Sequence, residues 1–101
     1  HTESVPLKYS DGTGIVIPAG PVNLVLVIAA HGMVGCGAFD IEALGKYRYP
    51  AARVRPIRGP LIESVADLLA AEVKDVNEAS RFLGIRPGMS GKDALDLLSL
   101  E

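Results

Sequence analysis

Few residues in this chain could do chemistry. Cys36 is the single thiol, set between Gly35 and Gly37, where another backbone or a ligand could approach closely. A reactive thiolate needs a cationic neighbour, a helix N-terminus or a base. His31 is the one internal histidine that could act as that base. Read as a two-residue turn, His31-Gly32 joins an apolar run from Val22 to Ala30 to a returning strand from Met33 to Phe39. Val27 then faces Cys36, and His31 lies about 16 Å along the strand at ~3.3 Å per residue. A Cys36–His31 dyad within one subunit does not fit that spacing, and Asp40 has the wrong charge to activate a thiol. A small buried hydrophobe is the simpler reading of Cys36.

On this register Gly35 and Gly37 share one strand face between Leu26 and Ile28. They form a flat strip open to close packing or to a flat ligand. The glycines before Asp40 also suggest a nucleotide fingerprint, but Asp40 occupies the third glycine position and would repel a pyrophosphate. Gly84 to Gly91 lacks the lysine-hydroxyl ending of a P-loop. His31 and Cys36 do not make a metal ligand set, so no metal and no cofactor is expected. Asp40 and Glu42 are explained as the acidic start of a helix.

The second chemical group is basic. Lys46, Arg48, Arg53, Arg55 and Arg58 place half of the ten cationic residues between positions 46 and 58, with Tyr47 and Tyr49 among them. Basic residues with aromatics can hold phosphates or single-stranded nucleic acid. Charge on an edge strand also discourages aggregation. Eight of the twelve acidic residues follow residue 60 and could pair with this strand. A net charge of −2 gives no wider drive toward nucleic acid.

These residues must be positioned by one domain spanning 1–101. Hydrophobic residues make up 49%, mostly aliphatic, which excludes disorder. The longest apolar run, Val22 to Ala30, is far short of the roughly 20 residues of a membrane span. One cysteine rules out a disulfide-stapled secreted fold; with no signal peptide in sight, the expected location is cytoplasmic. The absence of Gln and the presence of only Asn23 and Asn77 match thermophile composition.

Strands are expected at Ser4 to Tyr9, Ile15 to Ile17, Val22 to Ala30, Met33 to Phe39 and Ala51 to Ile57. Turns fall at 10–14 and 18–21. Asp40 caps a helix from Ile41 to Lys46, Ser64 caps a second, and Ser90 caps a last one bearing Ala94, Leu95, Leu97 and Leu98. The apolar stripe from Val65 either runs on to Leu83 as one helix or breaks, with Val73 to Val76 extended and Asn77 capping a new helix. Gly84 ends it.

Two runs, Gly32 to Asp40 and Leu83 to Leu95, resemble the signature segments of the YunC-like family, prokaryotic domains of unknown function. The resemblance extends from about Gly14 to Leu98. It implies the helix break before Asn77 and brings no activity with it.

The expected fold is α+β: a mostly antiparallel sheet of about five strands, with three or four helices packed mainly on one face. Val22 to Ala30 points apolar side chains both ways, so the other face calls for a second copy and a homo-oligomer. Three functions fit. The first is a non-catalytic self-associating domain that binds an anionic small molecule through Arg53, Arg55 and Arg58 beside Gly35 and Gly37. The second is a thiol enzyme using Cys36 at a subunit interface. The third, least favoured, is nucleic-acid binding through residues 46–58.

Overall fold

Alternating apolar residues and four capped helices build the computed structural model, which describes residues 1–100. Six strands lie side by side in chain order: β1 (Thr2–Val5), β2 (Gly12–Ala19), β3 (Val22–Ile28), β4 (Met33–Gly35), β5 (Ala51–Arg55) and β6 (Glu72–Val76). All neighbours are antiparallel except β4 and β5. That parallel step follows from the crossover through α1 (Ile41–Gly45), which returns the chain to the end of the sheet where β4 began. The remaining helices are α2 (Val65–Ala70), α3 (Glu78–Phe82) and α4 (Gly91–Leu98).

Asp40, Ser64, Asn77 and Ser90 cap α1 to α4 in turn, each accepting from the backbone N–H three residues on. Each cap is worth about 1 kcal/mol. The break before Asn77 is present, and it produces a sixth strand where about five were expected. β6 bulges against β5: Arg53 pairs with Asp75 and Val54 with Val73, leaving Lys74 unpaired. In a regular strand residues 72 and 75 would face opposite ways. The bulge brings both acids to the side of Arg53 and Arg55.

The β2–β3 hairpin turns on Gly20-Pro21, with Ala19 opposite Val22 and Gly20 at a φ of 71°. β2 is longer than expected and runs through Pro18, which lies past the end of β1 and so has a strand neighbour on one side only. β1 is earlier than expected. Residues 8–10 serve α4 instead: the Lys8 N–H donates to Asp96 Oδ1 (2.9 Å) and the Tyr9 N–H to Ser99 Oγ (3.2 Å).

The β3–β4 turn differs from the His31-Gly32 expectation. Ile28 pairs with Met33 and Val27 with Val34, so the loop has four residues, 29–32. Cys36 instead donates its N–H to Val25 O (3.0 Å). The register moves by two, which leaves every side chain on its expected face. Contacts from distant segments set this loop: the His31 N–H donates to Leu98 O and the Met33 N–H to Pro50 O, both at 3.0 Å. β4 also ends at Gly35 rather than Phe39. The chain turns there and lays the Phe39 ring on Gly35, where a Cβ would stand 2.5 Å from Phe39 Cδ2.

The sheet buries unequal amounts on its two faces. On one face Val25, Val27, Val34, Ala52, Val54 and Val73 form the main core with Val65 and Leu68 of α2 and Ala94, Leu95 and Leu98 of α4. On the other, Leu26, Met33 and Ala51 are covered by Ile41 of α1, with Phe39, Leu44 and Tyr49 at the margin. Helices therefore occupy both faces, but α1 covers only the β4–β5 side of the second one.

Candidate functional site

The basic strand is built first from β5. Arg53 Nη2 donates to Asp75 Oδ2 (2.6 Å) and Nη1 to Phe39 O (3.4 Å), while its Nε is buried without a partner. Arg55 Nε donates to Glu72 Oε1 (2.9 Å). Arg58 lies on the exposed loop after β5 and has no ion pair among the described residues. The three arginines line three separate cavities. Arg53 faces one with Asp40, Glu42 and Arg81. Arg58 faces one with Ile57, Leu61 and Asp67.

Arg55 lines the third, of about 320 Å³, together with Cys36, Gly37 and Lys74. Cys36 is 8% exposed and belongs to the main core. Arg55, itself paired with Glu72, and Lys74 thus share a cavity with Cys36, a grouping the sequence reading missed because Lys74 arrives through the β6 bulge. His31 lines a different cavity, so Cys36 and His31 are not brought together. Gly35 and Gly37 do not form a shared strip. Gly35 lies under Phe39, and Gly37 is exposed with nothing near its Cβ position.

Cross-strand pairing places Thr2, Ser4, Thr13, Ile15, Ile17, Ala19, Val22, Leu24, Leu26 and Ile28 on one face of β1–β3. No charged residue is among them. Ile17 is 48% exposed, and Val22 and Ile28 are 39% each. Ile41 of α1 covers Leu26 at the inner edge of this face, and the rest lies beyond α1.

A cavity of about 900 Å³, larger than the three that the arginines line, lies among the β3–β4 loop, the α1–β5 turn, α3 and the end of α4. Tyr47, Arg48, Tyr49, Phe82, Leu97 and Leu100 are among its lining residues. Burial raises the pKa of Tyr49, which keeps its phenol neutral to higher pH than usual. Sequence spacing offered no route to this cleft, because its walls come from four separate segments.

Asn77 ties two of those segments together, the α1–β5 turn and α3. Its buried side chain accepts from the Ala51 N–H (3.2 Å) and the Ser80 N–H (3.0 Å), and donates to Ile41 O (3.0 Å) and Tyr49 O (2.9 Å). Only its capping role was legible in the sequence. Among the described residues no group of three or more metal-ligating side chains occurs, and no helix is long and apolar enough to cross a membrane.

The fold and its sites define a small α+β domain, six-stranded and mostly antiparallel, with one parallel step. A family model described as a domain of unknown function, DUF1805, matches residues 35–98, and the chain belongs to that family. It is 30% identical over 83 residues to the uncharacterized protein YunC of Bacillus subtilis (strain 168), covering 82% of this chain and 81% of that protein. The expected membership of the YunC-like family is thus shown. The crystal structure of a protein of unknown function, TA1206 from Thermoplasma acidophilum, shares the fold. Its TM-score is 0.85 at 21% identity, over 97% of this chain and 91% of that one.

Proposed function

We propose that this is a non-catalytic domain that self-associates through the uncharged face of β2 and β3. The observation that carries the reading is the exposure of Ile17, Val22 and Ile28 on a face without a charged residue. Fully burying an aliphatic side chain is worth about 1.5–3 kcal/mol. Three that are already partly covered still leave several kcal/mol for a partner. A second copy suits the face because an apolar, uncharged surface is complementary to itself and meets no like-charge repulsion across a two-fold axis.

Sedimentation at micromolar concentration tests this directly. A dimer or larger closed assembly is expected for the wild type, and Ile17→Lys is expected to dissociate it while leaving the circular dichroism spectrum intact. A folded wild-type monomer at high micromolar concentration overturns the reading.

Anion binding by Arg53, Arg55 and Arg58 is less well supported, since two of the three are paired with acids and the three face different cavities. A thiol-dependent reaction at Cys36 keeps one favourable observation, the shared cavity with Arg55 and Lys74. Rapid stoichiometric labelling of the native thiol near neutral pH would promote it over the non-catalytic reading.

A further inference from the structure

Two helices end in the same turn with different residues at its critical position. At the end of α3, Gly84 N–H donates to Arg81 O (3.0 Å) and Ile85 N–H to Ser80 O (3.2 Å), with Gly84 at a φ of 98°. At the end of α1 the same two bonds recur: Arg48 N–H to Gly45 O (3.0 Å) and Tyr49 N–H to Leu44 O (3.3 Å). This is the Schellman arrangement, which favours glycine at the left-handed position. Here that position holds Arg48 at a φ of 61°, the one non-glycine with positive φ among the described residues.

A side chain in that conformation costs stability, and such strain persists where surrounding structure enforces it, often at binding sites. Arg48 stands on the wall of the 900 Å³ cleft. It makes no ion pair among the described residues, whereas Arg53 and Arg55 do. Beside it Tyr47 is 84% exposed, and Phe82, on the same cleft, is 88% exposed. The cleft volume falls within the roughly 300–1,000 Å³ of small-molecule pockets.

We propose that this cleft binds a small molecule with a flat apolar body and one anionic group, the body lying on Tyr47 and Phe82 and the anion on the Arg48 guanidinium. A planar guanidinium takes a carboxylate or sulfonate through two parallel hydrogen bonds. Aromatic faces take flat rings by offset stacking. Glu78 is the one acid on the described lining. Its charge disfavours di- and triphosphates and narrows the class to a singly charged carboxylate or sulfonate. The site does not depend on self-association through β2 and β3.

The test uses 8-anilinonaphthalene-1-sulfonate, a flat apolar body with one sulfonate, titrated by fluorescence against the full chain. Saturable binding is expected for the wild type. Arg48→Gly is expected to raise the melting temperature while weakening binding by about tenfold, the loss of one charge-assisted contact. Arg48→Lys, which keeps the charge but loses the paired hydrogen bonds, is expected to bind more weakly than the wild type and more tightly than Arg48→Gly. The uncharged analogue N-phenyl-1-naphthylamine is expected to bind Arg48→Gly and wild type equally, and Ile17→Lys to leave sulfonate binding unchanged. Wild-type affinity in Arg48→Gly, or loss of binding in Ile17→Lys, overturns the proposal; the second would place the probe on the open sheet face. Absence of saturable binding to the wild type also overturns it.

Discussion

The two halves of the sheet solve the same burial problem differently. β4 and the start of β5 are covered on both faces by the chain itself, with α1 on one side and α2 and α4 on the other, and β6 extends this half with its acids paired to β5. β1, β2 and β3 are covered on one face and leave Ile17, Val22 and Ile28 in water on the other. The closed half is tied by side chains from afar, above all Asn77 and the two arginine–carboxylate pairs. Between its strands the open half is held by local hairpin register, and its ties from afar, Asn23 Nδ2 to Glu63 O (3.0 Å) and Lys8 and Tyr9 to Asp96 and Ser99, lie off the uncharged face. The difference teaches that polar cross-links accompany the half whose elements arrive from distant sequence, while the locally paired half is the one left available to a partner.

The sharpest way to break this contrast is at Asn77. Asn77→Ala loses a cap and strands buried groups on Ala51, Ile41 and Tyr49, which together should cost about 3 kcal/mol in urea unfolding. Asn77→Asp is expected to do no better, because a carboxylate cannot donate to the carbonyls of Ile41 and Tyr49. A tolerated Asp would show that the four-bond network does not hold the closed half together.

A smaller effect is expected at the hairpin of the open half. A Cβ on Gly20 would meet nothing within 4 Å, so Gly20→Ala tests the left-handed backbone alone. A loss of roughly 1–2 kcal/mol is expected. No loss would mean that the β2–β3 register does not need this turn.

The smallest effect should come from Arg55 and Glu72, whose side chains are 61% and 33% exposed. A double-mutant cycle is expected to give a coupling of about 0.2–1 kcal/mol that falls with added salt. The same cycle at Arg53 and Asp75, less exposed on the arginine side and with a further bond to Phe39 O, should give the larger value. The reverse order would remove the distinction between a buried tie and a surface pair.

Some of this structure was readable before any coordinates. Asp40, Ser64 and Ser90 mark three helix starts because a cap is satisfied within one turn of chain, while the start at Asn77 was one of two readings that only the family resemblance decided. The apolar run after Pro21, interrupted only by Asn23, marks a central strand, and two-residue periodicity assigned its faces correctly even with the turn misplaced. Charge alone made the acids after position 60 candidates to pair with the basic strand, and Glu72 and Asp75 do so.

Tertiary structure decided the rest. The β3–β4 loop lengthened to four residues because Leu98 and Pro50, remote in sequence, offer acceptors to His31 and Met33. Phe39 left the strand to cover Gly35, so the strip foreseen on the two glycines was filled by the chain's own ring. Lys74 joined Cys36 at one cavity only through the bulge in β6. The cleft around Arg48 took its walls from four segments. Caps and strand faces depend on bonds and alternation that close within a few residues, and the sequence alone determined most of them. Register, bulges and cavities depend on which distant backbone group or side chain arrives alongside, and that is settled only when the whole chain packs.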